Sequence, residues 1–149
     1  MAQLEVGVHE DPTQHSDSKI IEYFSTTTLQ ATDDSVPWCS AFLCYCFEKV
    51  GIPSTKSARS RSWLAWGVSI GKPIVGCVVI LQRGSDPNAG HVGLYLYETQ
   101  THLCLLGGNQ GDAVSTKEFP KGLVVGYRLP SDEYWSPVND NTETDTRYT

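Results

Sequence analysis

Val36-Pro37-Trp38-Cys39-Ser40-Ala41-Phe42-Leu43 sets a cysteine in the first turn of a strongly apolar helix, and the fold of the chain is read outward from it. Pro37 suits a helix start, because its missing N–H costs nothing in a first turn and its φ is already helical. From Cys39 the apolar residues Phe42, Leu43, Cys46, Phe47 and Val50 recur at the spacing of one helical face, so the thiol lies at the tip of a buried stripe. Gly51 and Pro53 then supply a left-handed cap and a stop. The unpaired N–H groups and positive dipole end of a helix start favour an anion, and the thiolate is the nucleophilic form of cysteine. A cysteine on an apolar face is more often a small buried hydrophobe. Chemistry at Cys39 therefore requires a base.

Before this helix, a shorter one is predicted over 18–24, with Ser16, Asp17 or Ser18 as its cap and Ile20, Ile21 and Phe24 as its apolar side. After it, a third helix is predicted over 57–66, with Trp63, Leu64 and Trp66 packing inward. From Gly71-Lys72-Pro73 onward the chain changes to short β-rich runs separated by glycine turns. Strands are predicted over 74–81, 91–97, 102–106, 113–116 and 124–129, with a turn-rich loop over 83–90. Helices followed by an antiparallel sheet argue for an α+β domain spanning 1–130. The polar, acidic stretch 131–149 reads as a flexible tail. No internal repeat is found.

The 149 residues suffice for one core without metal or disulfide staples. The net charge of −6 lies mostly in the tail, and no Lys/Arg run suits nucleic acid or anionic lipid. No stretch approaches the ~18 apolar residues of a membrane span. The five cysteines cannot all pair, and the N-terminus has neither the basic nor the apolar part of a secretory signal. Both features fit synthesis in a reducing cytoplasm with free thiols. Cys39, Cys44 and Cys46 give C-x4-C-x-C, which is not the paired spacing of a zinc site, so no metal is expected.

Among the four histidines, His91 is the best base for the thiol. It follows Gly90 at the start of a strand that alternates Val92, Leu94 and Leu96 with His91, Gly93, Tyr95 and Tyr97. Its ring is expected on the less apolar side, with room left by Gly93. His9 and His15 lie in a polar N-terminal segment, and His102 sits at a hairpin edge. A third group must hold the imidazole in the working tautomer, and Asn109 in Leu105-Leu106-Gly107-Gly108-Asn109-Gln110 is the choice. Asn109 and Gly111 also suit a plain turn. Gln110 and Asp112 are its neighbouring substitutes. Trp38, Asp34 and Gln110 flank the thiol as candidate substrate-binding residues, although Trp38 suits a packing role equally.

These blocks carry a resemblance. Pro37-Trp38-Cys39-Ser40-Ala41-Phe42, Gly90-His91-Val92-Gly93, Leu106-Gly107-Gly108-Asn109-Gln110 and Gly126-Tyr127-Arg128 look like the NlpC/P60 and CHAP-like cysteine peptidases, particularly the short single-domain branch of phage endolysins and bacterial wall hydrolases. The likeness extends over about 7–130 and includes Ser57-Ala58-Arg59-Ser60. It implies a papain-like fold with Cys39 as nucleophile, His91 as base and Asn109 as the polar third member. Two positions depart from the pattern. Cys77 replaces an aspartate common in that strand of the family, and Ser35 stands where an acid is frequent. Cys77, between valines, should be buried and inert.

The function expected from this likeness is hydrolysis of a stem-peptide amide in bacterial peptidoglycan by a Cys-His-Asn triad, through an acyl-enzyme and without a cofactor. As an endopeptidase or an N-acetylmuramoyl-L-alanine amidase, such an enzyme would reach the wall with the help of a holin or a secretion machine. The same site on a toxin-like effector, deamidase or acyltransferase, or a catalytically dead binding module, are the alternatives.

Overall fold

The computed structural model describes residues 2–8, 10, 18–27 and 38–131. His9, His15, Asp34, Ser35, Pro37 and the tail beyond Ser131 lie outside the described residues. Helix α1 spans Ser18–Tyr23 and runs into a 3-10 turn, Phe24–Thr26; helix α2 spans Cys39–Lys49, and a further 3-10 turn covers Ser60–Ala65. Six strands follow: β1 Val68–Ile70, β2 Val78–Gln82, β3 Gly90–Glu98, β4 His102–Gly107, β5 Ser115–Pro120 and β6 Val124–Leu129. They form one antiparallel sheet in the order β1-β6-β2-β3-β4-β5. The domain is α+β, helices first, as its patterning requires. No described helix is long and apolar enough to cross a membrane.

Cys39 is the first residue of α2, after Trp38 as N-cap. Every residue from Cys39 to Cys46 is buried, so the helix is enclosed on all sides rather than along one stripe. Val50, expected at the end of that stripe, is instead the C-cap and 55% exposed. The stop is the expected one: Ile52 N–H bonds Phe47 O at 2.9 Å and Gly51 N–H bonds Glu48 O at 3.1 Å, with Gly51 at φ +83°, where a side chain would strain the backbone.

The predicted third helix is a 3-10 turn, and the cause is local. Ser57 O is taken by the Ser40 hydroxyl at 2.7 Å, and Arg59 is extended, so the helical stretch starts late. The Trp63 indole then drops into the core and donates to Ser40 Oγ at 2.8 Å. Strand β2 likewise begins four residues after its predicted start. Gly76 sits at φ +89°, and Cys77 N–H closes a turn onto Ile74 O at 3.0 Å. β5 begins at Ser115 and continues to Pro120, later and longer than read.

The sheet is buried on both faces. Val78, Ile80, Val92 and Leu106 pack with α1 and α2 around Tyr23, Trp38, Phe42 and Trp63. The alternate residues Cys77, Val79, Leu81, Tyr95, Leu103, Leu105 and Leu129 form a second cluster with Ile70, Phe119 and Tyr127. All six strands supply side chains to this second cluster and neither α-helix does, which requires the sheet to curl around it. Register shifts at Ile80/Leu81 and Tyr95/Tyr97 supply local bends of the kind that curl needs.

Candidate active site

Three elements converge at the start of α2. The helix brings Cys39, and its first internal bond runs from Phe42 N–H to Trp38 O at 3.0 Å, so the N–H groups of Cys39, Ser40 and Ala41 precede the hydrogen-bonded ladder. Strand β3 brings His91, paired with Leu81 of β2. The β4–β5 connection brings Gln110. All three are buried, with 3%, 8% and 4% exposure respectively.

The imidazole lies on the face of the second cluster, 5.2 Å from the Phe119 ring centroid. This corrects the expectation of a less apolar side: that face is filled by the curled sheet. His91 Nε2 is 2.9 Å from Gln110 Oε1. The amide orientation follows from its surroundings, since Gln110 Nε2 donates to Leu105 O at 3.1 Å and to Ser115 O at 2.8 Å. Only the NH2 group can serve two carbonyls, so Oε1 faces the ring. An oxygen acceptor at Nε2 requires a proton there. Nδ1 is thereby the basic nitrogen left for the thiol.

The electrostatics of the pair follow. Burial pushes the Cys39 thiol up, yet hydrogen bonding with His91, the imidazolium charge, the Val92 backbone and the Ser60 hydroxyl together bring it below the usual thiol range. Burial pushes His91 down, but its bond and charge interaction with Cys39 and the bond to Gln110 raise it above an ordinary histidine. One partner moves down and the other up, the pattern of a thiolate–imidazolium pair. The contrast with two other cysteines is chemical: burial pushes Cys77 up to about 11 and, with Glu5 nearby, Cys46 up to about 12.

Asn109 does not hold the ring. It stands in the left-handed region at φ +58°, followed by Gly111 at +67° and Asp112 at +60°, and shapes the turn that swings the next residue inward. The orienting residue is Gln110, one position along. Gln110 also leaves the substrate-binding set, because its side-chain polar atoms are committed within the fold. Trp38 leaves it too: it is fully buried, stacked near Tyr23 and bonded through Nε1 to Glu10 Oε2 at 3.0 Å. Asp34 lies outside the described residues.

The two glycines of the loop answer two separate crowding problems. A Cβ on Gly107 would meet Gln110 Oε1 at 2.6 Å, and one on Gly108 would meet both Phe42 Cβ and the Trp38 ring at 2.8 Å. The first makes room for the orienting amide and the second lets the loop cross the start of α2. The loop is anchored further by Gln110 N–H to Ala113 O at 3.0 Å and by Ser115 Oγ to Gln110 O at 2.8 Å.

Ser60 is the residue that motif reading left without a role. It opens the 3-10 turn beside Gly90, and its hydroxyl stabilises the thiolate. A lone serine between two arginines carries no signal of this in the sequence. Among the described residues no group of three or more His, Cys, Asp or Glu side chains is arranged to hold a metal. No model of a known protein family matches the chain, and no curated protein sequence matches it.

Proposed function

We propose that the protein is a cysteine hydrolase of papain-like fold that opens a stem-peptide amide of bacterial peptidoglycan, in the manner of a phage endolysin or a related wall-lytic enzyme. The observation that carries the hydrolase reading is the Cys39–His91–Gln110 alignment, in which Gln110 leaves Nδ1 of His91 basic beside an acidified thiol. Support for the wall substrate comes from the ordered blocks around Cys39, His91 and Leu106–Gln110, which resemble the NlpC/P60 and CHAP-like peptidases.

In this reading the Cys39 thiolate attacks the amide carbonyl carbon. The Cys39 backbone N–H, ahead of the helical ladder, donates to the oxyanion. The imidazolium gives its Nδ1 proton to the departing amine, leaving a thioester. Nδ1 then takes a proton from water, the hydroxide adds to the thioester, and collapse releases the acid and the thiolate. Gln110 Oε1 accepts the Nε2–H throughout.

The test uses purified peptidoglycan with wild type and Cys39→Ala. Clearing by the wild type alone is expected. A new free amine on diaminopimelate or a released L-alanine terminus, found by mass spectrometry, would name the bond. Unchanged turbidity with wild type, or full activity in Cys39→Ala, would overturn the proposal. An intact wall beside a modified protein substrate would move it to the effector class.

A further inference from the structure

Two arginines flank the backbone that leads into His91. Arg61 is the second residue of the 3-10 turn, and its Nε donates to Ala89 O at 2.8 Å. Its Cγ lies 3.3 Å from the point a Cβ would occupy on Gly90, the residue before His91. This bond fixes the guanidinium plane while its terminal amino groups have no acceptor among the described residues. Arg83 follows β2 directly, whose last residue, Gln82, pairs with Gly90. Its charge reaches His91, where it opposes the imidazolium.

Neither arginine returns stability through an ion pair. The four ion pairs among the described residues use Lys19, Lys56 and Lys121 alone. Among the described residues neither guanidinium has an acidic partner. An arriving carboxylate supplies the missing acceptor: it pairs with the guanidinium forks and offsets the opposition between Arg83 and the imidazolium.

We infer that Arg61 and Arg83 recognise a carboxylate of the substrate next to the scissile amide, so that the site takes anionic peptides in preference to neutral or amidated ones. The inference rests on Cys39 being the reactive thiol of an amide hydrolase, and it narrows the substrate to chains bearing a free carboxyl near the cleaved bond. Charge-assisted pairing of this kind is worth roughly tenfold to a hundredfold in apparent affinity.

The test is the ratio of Cys39 alkylation rates by iodoacetate, a carboxylate, and iodoacetamide, its neutral counterpart. The ratio is read within each protein, so a change in the thiol's own reactivity cancels. Wild type is expected to favour iodoacetate relative to free cysteine. Arg61→Gln and Arg83→Gln should each lower the ratio several-fold, and Arg61→Lys should retain part of it. A ratio unchanged by removing both arginines overturns the inference. A Cys39 no faster than free cysteine toward iodoacetamide instead refutes the nucleophile reading, while the ratio among variants still decides the role of the arginines. In a second arm, stem peptides ending near the scissile bond in carboxylate or carboxamide are compared. Loss of discrimination in Arg61→Gln supports the assignment; equal slowing of both peptides contradicts it.

Discussion

Replacing Gln110 by alanine removes a side chain with three hydrogen bonds, and each loss has a distinct reading. The bond to His91 is charge-assisted when the ring is an imidazolium, worth about 1.5–3 kcal/mol. Gln110 holds His91 up, so without it the ring deprotonates at lower pH and the thiolate–imidazolium window contracts from its alkaline side. Turnover at neutral pH should fall on the order of 10- to 100-fold. The Leu105 and Ser115 carbonyls also lose their donors, at about 1–3 kcal/mol each, so the variant must be compared well below its melting temperature. The assay is iodoacetamide alkylation of Cys39 against pH, followed by mass spectrometry. Wild type should react from mildly acidic pH upward. Gln110→Ala should lose that reactivity and follow the rise of an ordinary thiol. A Gln110→Ala profile that overlays wild type, with a collapsed profile in Asn109→Ala, would refute the assignment of the orienting residue.

Other consequences are open to equally direct checks. Mapping of labelled peptides near pH 7 should find Cys39 modified first, with Cys46 and Cys77 resisting until the chain is unfolded, because burial raises both of those thiols and Cys39 is lowered. Gly108→Ala forces a methyl against Phe42 and Trp38, and should cost about 1–3 kcal/mol, a fall in melting temperature of roughly 3–10 °C by calorimetry. Tyr23→Phe removes the buried 2.9 Å bond to Glu5 and should cost about 1–3 kcal/mol in denaturant unfolding while leaving the Cys39 alkylation profile in place. Trp38→Ala should destabilise by about 3–5 kcal/mol, as expected of a fully buried indole rather than a substrate platform.

The parts of the site legible in the sequence are those written in strong periodicity. The α2 start at Cys39 follows from its 3.6-residue pattern, and His91 from the two-residue alternation of β3. The sequence puts Asn109 ahead of its substitute Gln110 because the choice between them depends on the left-handed backbone at Asn109, and a side chain of Gln110's length reaches back where the shorter amide cannot. The curl of the sheet is also invisible in the chain, since alternation marks two faces without saying that both are enclosed. β1 escaped notice for a simpler reason: three residues between Gly67 and Gly71 are too few to show a period, and their strand character comes from pairing with β6. Ser60 and the arginines have no periodic signal at all, because their roles arise from proximity across the fold.

The order of the three site residues along the chain has a consequence for how the molecule is made. The thiol emerges first, on a helix whose acidifying partners are still unsynthesised; the base comes later, on the middle of the sheet, and the amide that sets its tautomer comes last, beyond β4. Until β4 and β5 close around Gln110, the nascent chain carries only ordinary thiols. Onset of Cys39 reactivity is thus a clock for the closure of β4 and β5 around Gln110, and a ribosome-bound chain stopped before Gln110 should remain chemically quiet.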